Sequence, residues 1–369
     1  MNPSELIWMN GEFVPWDEAQ VHVLTHALHY GTSVFEGVRC YDTELGPAVF
    51  RNQDHVDRLY RSSDLYYMPV PFEPEQIRQA TLETVARNNL RSCYIRPLVF
   101  RGYGTMGLFP LEARVDVIIA VWEWGAYLGE EGKQHGIRAK VSSWRRISPQ
   151  SLIPHAKAGG QYLNSVLAKI ETHKAGYDEA ILLDEHGMVC EGSGENIFIV
   201  KNGALYEPEL TSALEGITRD SVIRIARDKG IEVVEQSLTR DEVYCADEVF
   251  LTGTAAELTP VREVDDRQIG AGSRGPITKT IQSTFFDAVH GRDRRLEALE
   301  IDVELQHPSH PRPNERTLGR REGARGPHLH PAIVRADRQA HRADARVTLT
   351  DEVAGRGLPR FIDVRNVRE

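Results

Sequence analysis

The chain has 369 residues, 41% of them hydrophobic and 27% charged, with a net charge of -10 and a pI near 5.8. That is enough chain to bury a large core and to build two domains. The acidic balance speaks against a nucleic-acid or anionic-membrane partner, and no apolar run reaches the roughly 18 residues that would span a bilayer.

The opening, MNPSELIWMNGEF, lacks the basic and apolar regions of a signal peptide, so a cytoplasmic protein is expected. Cys40, Cys93, Cys190 and Cys245 stand far apart with no C-x-x-C, which fits reduced thiols rather than a disulfide frame or a zinc site. Two short apolar runs around Asn10-Gly11 predict a hairpin. AVFRNQDHVDRLYRSSDLYY turns from strand to helix, and PFEPEQIRQATLETVARNN is a second helix. RSCYIRPLVF and VDVIIAVWEW read as buried strands. GAYLGEEGKQHG, glycine-rich and charged, reads as a linker. After it, SLIPHAKAGGQYLNSVLAKI opens a helix with Leu163, Val166, Leu167 and Ile170 at spacings of three and four. EAILLD, ENIFIVKNGALYEP, IEVVEQ and EVFLTG read as strands. The helix after EGITRD is expected to start with Thr218 as N-cap, with Ile217 and Val222 as a hydrophobic staple, and to end at Gly230. Thr239 and Glu242 form a capping box, and GPITKTIQSTFFDAVHG is a last helix running from Pro276 to Gly291. Beyond Gly291 the chain is arginine-rich, lacks lysine and loses apolar periodicity. It reads as a disordered or loosely attached tail, in which RLEALEIDVEL is spaced for one helix. No internal repeat is present.

Lys157 is unusual among the lysines because its neighbours, Ala-Lys-Ala-Gly-Gly, are small and uncharged. Desolvation favours a neutral amine, and a neutral lysine in a pocket is the nucleophile that Schiff-base chemistry requires. A lysine snorkelling from a loop would look the same from these residues alone. Glu191 and Glu195 flank a Gly-Ser-Gly turn that allows close approach of a ligand to the backbone. The turn has no strand-G-x-G-x-x-G-helix context, so it is not read as a dinucleotide site. EGITRD offers free N–H groups at Ile217 and Thr218, a ready anion site. LTGTAAELTP ends a strand in small residues. His22, His26 and His29 have helical spacing, but no carboxylate accompanies them at ligand spacing, so no metal is expected.

Nine stretches, in order, resemble the branched-chain amino-acid aminotransferases of the class IV pyridoxal-phosphate family. They are HALHYGTSVFEGVRCY, YIRPLVFRG, WGAYLG, VSSWRR, AKAGGQYLNS, EGSGENIF, GITRD, ADEVFLTGTAAELTPV and GPITK, spread over roughly Leu6 to His290. The resemblance implies an α+β (mixed α/β) enzyme of the type IV fold. Residues 1–127 would form a small α/β domain, 128–135 an interdomain loop, and 136–290 a larger domain with a β-barrel-like sheet. Residues 291–369 would be an atypical tail. It implies pyridoxal 5'-phosphate as cofactor, bound covalently by Lys157, which then moves the proton at the substrate's Cα. Glu191 matches the carboxylate facing the pyridine nitrogen and Tyr162 the phenol beside the ring oxygen. Arg58 matches the phosphate-binding arginine, helped by Ile217, Thr218 and Thr254. Tyr30, Phe35, Gly37 and Tyr127 match an aromatic-walled pocket for a branched side chain. Tyr94, Ala255 and Ala256 match the site of the α-carboxylate, and Arg96 meets the distal carboxylate of glutamate. The implied reaction is reversible amino transfer between leucine, isoleucine or valine and 2-oxoglutarate, by a homodimer or homohexamer. A D-amino-acid aminotransferase, an aminodeoxychorismate lyase, or a catalytically dead binding protein of the same fold are the alternatives. Two departures stand out: Glu215 where the family often has proline, and the tail.

Overall fold

The computed structural model describes residues 2–125, 128–293 and 303–305. Its strands make two sheets, of eight and nine strands among the described residues. The first sheet begins with the expected hairpin. Leu6–Met9 and Glu12–Pro15 pair with Met9 opposite Glu12, and Asn10 and Gly11 take the positive φ values that such a turn demands. Its long central pair is Cys93–Arg101 against Val115–Trp122. Val38–Thr43 and then Gly46–Phe50 extend one side, and Ser33–Phe35 also pairs with Cys93–Arg101. The helices Asn52–Leu65 and Pro74–Arg87 lie against it, the second started by a capping box of Glu73 and Gln76.

The second sheet is mostly antiparallel, but Ile137–Arg145 pairs parallel with both Glu179–Leu183 and Glu257–Val264. It curls into a half-barrel whose interior is filled by Ile, Leu and Val side chains. The helices Ile217–Asp228 and Pro276–Val289 pack outside it, over Phe198 and Phe250 and against Tyr41 and Phe50 of the first sheet. The fold is therefore a mixed α+β arrangement of the expected class. No helix of the described residues is long and apolar enough to cross a membrane.

Three local expectations need correcting. The helix after EGITRD starts at Ile217 with Gly216, not Thr218, as its N-cap. No hydroxyl caps it, so Ile217 and Thr218 are first-turn residues whose N–H groups have no partner inside the helix. The stretch read as a plain linker contains a short helix, Glu130–His135. In the tail, Val303–Leu305 is not helical but a strand, antiparallel to Gly46–Phe50. The other expectations for the tail, over 294–302 and 306–369, lie outside the described residues. The helix Tyr162–Lys174 forms as expected but turns its apolar stripe outward. Leu163 is 71% exposed, and Val166, Leu167 and Ile170 are also exposed, while Ser165, Ala168 and Thr172 are buried.

Candidate active site

Lys157 sits where the two sheets meet. Its carbonyl accepts a hydrogen bond from the Phe35 N–H at 3.0 Å, Ala158 bridges to Val34, and its own N–H donates to Ser62 Oγ at 3.1 Å. Glycines on both sides of this stitching allow its close approach. A Cβ on Gly159 would stand 2.4 Å from Ser33 Oγ, and one on Gly31 would stand 2.9 Å from the backbone of Gly160. Lys157 Nζ donates to Tyr162 Oη at 2.9 Å and lies over the Phe35 ring at 5.2 Å. Among the described residues no carboxylate stands within salt-bridge distance of it.

Nζ opens into a cavity of about 250 Å³. Most of the sequence-named residues line it. Phe35, Gly37, Tyr94 and Arg96 come from the first sheet and Arg58 from the helix Asn52–Leu65. Lys157, Tyr162, Glu191, Ile217, Thr218, Thr254 and Ala255 close the other side. Ala256, next in the chain, is buried and does not line the cavity. Tyr30 does not line the cavity of its own chain; it is exposed, with its ring 4.5 Å from that of His26. Tyr127 lies outside the described residues. The three histidines do not converge. His26 bonds Thr32 and the Gly107 carbonyl, His29 the Val23 carbonyl, and His22 the Leu24 N–H.

The cavity has distinct chemical ends. At one, Arg58 approaches the first turn of Ile217–Asp228 and donates to the Glu215 carbonyl at 2.7 Å. At the other, the buried Glu191 forms an ion pair with Arg146 and accepts from the Leu214 N–H at 3.1 Å. Along the first-sheet wall, Arg96 packs against the rings of Phe35, Tyr94 and Trp122 and donates to Tyr94 Oη at 3.4 Å, with its Nε buried and unpartnered. Gly37 must be glycine here, since a Cβ would stand 2.0 Å from Tyr94 Oη. Glu195 is pushed up to about 8, chiefly by burial and then by the charge of Glu179.

Several functional neighbours escaped the sequence reading. Arg146 sits in the VSSWRR stretch, but nothing in its spacing announced Glu191 as partner. Glu36, inside FEG, takes Arg58 in a two-pronged ion pair. Arg39 bonds the carbonyls of Trp124 and Gly125 and pairs with Glu257, tying the cavity's Trp124 wall to the turn that carries Ala255. Thr252 Oγ1 is buried without a partner at the cavity.

The sequence profile of the amino-transferase class IV family matches residues 33–264. A branched-chain-amino-acid aminotransferase of Pseudomonas aeruginosa is 53% identical over 287 residues, covering 78% of this chain and 94% of the relative. A crystal structure of the Escherichia coli branched-chain amino acid aminotransferase superposes with a TM-score of 0.80 at 49% identity, covering 82% of this chain and all of that one. A branched-chain amino acid aminotransferase from T.th., complexed with N-(5'-phosphopyridoxyl)-L-glutamate, gives 0.78 at 51% identity, over 82% and 99% of the two chains. With a family match over most of its length and relatives at this identity, the chain belongs to the class IV aminotransferases.

Proposed function

We propose that this protein is a branched-chain amino-acid transaminase, exchanging the amino group of leucine, isoleucine or valine with that of glutamate through pyridoxal 5'-phosphate. The observation that carries the reading is a single cavity that holds Lys157–Tyr162 between an anion cradle and a buried carboxylate. The residues fit the cofactor chemically. The Arg58 guanidinium, the free N–H groups of Ile217 and Thr218 and the Thr254 hydroxyl suit a phosphate. The unpartnered Thr252 Oγ1 and Arg96 Nε are polar atoms in want of a ligand. The named relatives support the same reading by their substrates and by the phosphopyridoxyl-glutamate one of them holds.

When bound, pyridoxal phosphate supplies an electron sink for the pair left as the amino acid's Cα loses its proton. Lys157 Nζ is the group placed to bind it and then to take that proton. Tyr162 Oη, hydrogen-bonded to Nζ, fixes where the amine points. Glu191 would hold a proton on the ring nitrogen, with Arg146 paired against the same carboxylate. Tyr94 and the Ala255–Ala256 backbone would take the α-carboxylate, with Phe35 and the Gly37 gap shaping the side-chain pocket. Arg96 lets one apolar pocket serve two substrates. Its weakly hydrated guanidinium tolerates leucine beside it and pairs with the distal carboxylate of glutamate.

The protein is proposed to be cytoplasmic and its active form a homo-oligomer, the latter supported by the outward apolar face of Tyr162–Lys174. The test is spectroscopic and kinetic. Purified protein should show a cofactor absorbance band that borohydride bleaches, and should transaminate L-leucine with 2-oxoglutarate. Lys157→Ala should lose both while staying folded. Near-normal turnover in that variant, or preference for the D-enantiomer, overturns the proposal.

A further inference from the structure

Glu36 has no part in the mechanism above, yet it is fully buried directly behind the anion end of the cavity. Its Oε1 accepts from Arg58 Nε at 2.7 Å and its Oε2 from Arg58 Nη2 at 2.8 Å. His55 Nδ1 stands 2.7 Å from the same Oε2. A carboxylate can only accept, so Nδ1 is the protonated ring nitrogen. The Glu36 N–H donates to the Pro97 carbonyl at 2.9 Å, which anchors the residue to the strand Cys93–Arg101. Arg58 Nη1 donates to the Glu215 carbonyl, one residue before the Gly216 cap. The arginine is therefore gripped from both sheets' territories at once.

Three of the five guanidinium N–H groups are used in this grip. One N–H on each terminal nitrogen is left, and the plane in which they lie is set by Glu36. Burial alone would raise the Glu36 carboxyl, but Arg58 and then His55 outweigh it and hold the group far below the usual carboxylate range. Glu36 stays charged and offsets the charge of Arg58 at short range. An anion in the cradle then meets oriented donors rather than a free positive charge.

We propose that Glu36 is a positioning residue for the cofactor's phosphate, locking the plane of Arg58 so that its remaining N–H groups form one preset cradle with the first turn of Ile217–Asp228. This rests on the reading of Arg58 as the phosphate-binding arginine. Supporting residues of this kind typically contribute a factor of roughly 10 to 100 to affinity where they have been measured around bound metals, and the same logic of preorganisation applies here.

The experiment is equilibrium binding to the cofactor-free full-length protein, followed by absorbance, with pyridoxal phosphate and with pyridoxal, which lacks the phosphate. Glu36→Gln places an amide N–H₂ against a guanidinium donor. It should weaken pyridoxal phosphate roughly 10- to 100-fold and pyridoxal less than about twofold. Arg58→Lys should likewise lose selectivity for pyridoxal phosphate over pyridoxal. Equal losses for both ligands in Glu36→Gln would mean that Glu36 supports the Lys157 segment instead, and would overturn the proposal. Selectivity lost in Arg58→Lys but kept in Glu36→Gln would overturn it while leaving Arg58 in place. Selectivity lost in neither would sink the Arg58 reading itself. If Glu36→Gln does not fold, Glu36→Asp retains the charge but withdraws it by one methylene. That variant should show a smaller loss confined to pyridoxal phosphate, and no selective loss in it overturns the proposal.

Discussion

Arg58 and Arg146 have carboxylates against them, whereas Arg96 has three aromatic rings and an unpartnered Nε. A half-buried guanidinium whose Nε is sealed off without a counter-ion is costly unless something supplies one, and in the proposed reading the supplier is the substrate. Arg96→Leu should therefore weaken glutamate and 2-oxoglutarate by about 2–5 kcal/mol, roughly 30-fold to several thousandfold, and leucine far less. Half-reaction kcat/KM values for each amino donor check this; equal losses would mean that Arg96 only holds the pocket together. Glu191→Gln makes the complementary case. It keeps the shape but removes the charge that would hold a proton on the ring nitrogen, so kcat should fall on the order of 10²-fold, about 3 kcal/mol. An unchanged kcat contradicts the assignment. Lys157 and Glu191 stood out in the sequence by their small or glycine-rich neighbours and Arg96 through the family resemblance, and all three line the cavity. Arg146, Glu36 and Arg39 did not stand out, because the partner that sets each beside the cavity is brought to it by tertiary folding.

Among elements, those set by local chemistry were legible. The Asn10-Gly11 hairpin, the Thr239 capping box and the Pro276–Val289 helix follow from residues a few positions apart. The misread ones depend on distant partners. The N-cap Gly216 is a glycine because a Cβ there would stand 2.0 Å from Asn196 Oδ1, a contact no local pattern reveals. The outward face of Tyr162–Lys174 has helical periodicity of the correct kind, but periodicity does not say which way the stripe points. The strand Val303–Leu305 is held by pairing with Gly46–Phe50, far earlier in the chain. A chain stopped at Gly291 loses that edge strand, while every described cavity residue lies before it. It should keep cofactor binding and turnover but melt roughly 2–6 °C lower, if the pairing is worth about 1–2 kcal/mol. Thermal unfolding and a leucine assay on the same sample decide it. An unchanged Tm would show that the strand contributes nothing, and loss of turnover in a folded chain would show that the tail reaches the site.

For the molecule as a whole, two buried carboxyls pull stability in opposite pH windows. Glu195 is pushed up to about 8 in the folded state, from an ordinary value near 4.3. The folded chain thus keeps a proton that the unfolded chain gives up between those values. Its contribution is complete below about pH 4.3 and is lost as pH rises towards and through 8. Glu36, held low, contributes above its unfolded value and is lost only on strong acidification. Tm should accordingly decline from pH 6 to pH 8.5, and Glu195→Gln should flatten the decline; an identical slope in the variant rules Glu195 out as its source. Part of the described surface is apolar and uncovered. Leu163, Val166, Leu167 and Ile170 stand exposed on one helix face, and Leu108 and Phe109 are among the most exposed large side chains. A soluble chain rarely leaves such faces open, and a second copy, which presents the same face, is the simplest cover under two-fold symmetry. Leu163→Glu with Leu167→Glu puts two charges where that contact would form, at positions that are already solvent-facing within one chain, so folding should survive. Sedimentation should move from a multiple of 41.6 kDa to 41.6 kDa itself. If the unaltered protein already sediments as a single chain, or the double variant remains assembled, the helix face is not the interface and the apolar stripe needs another partner.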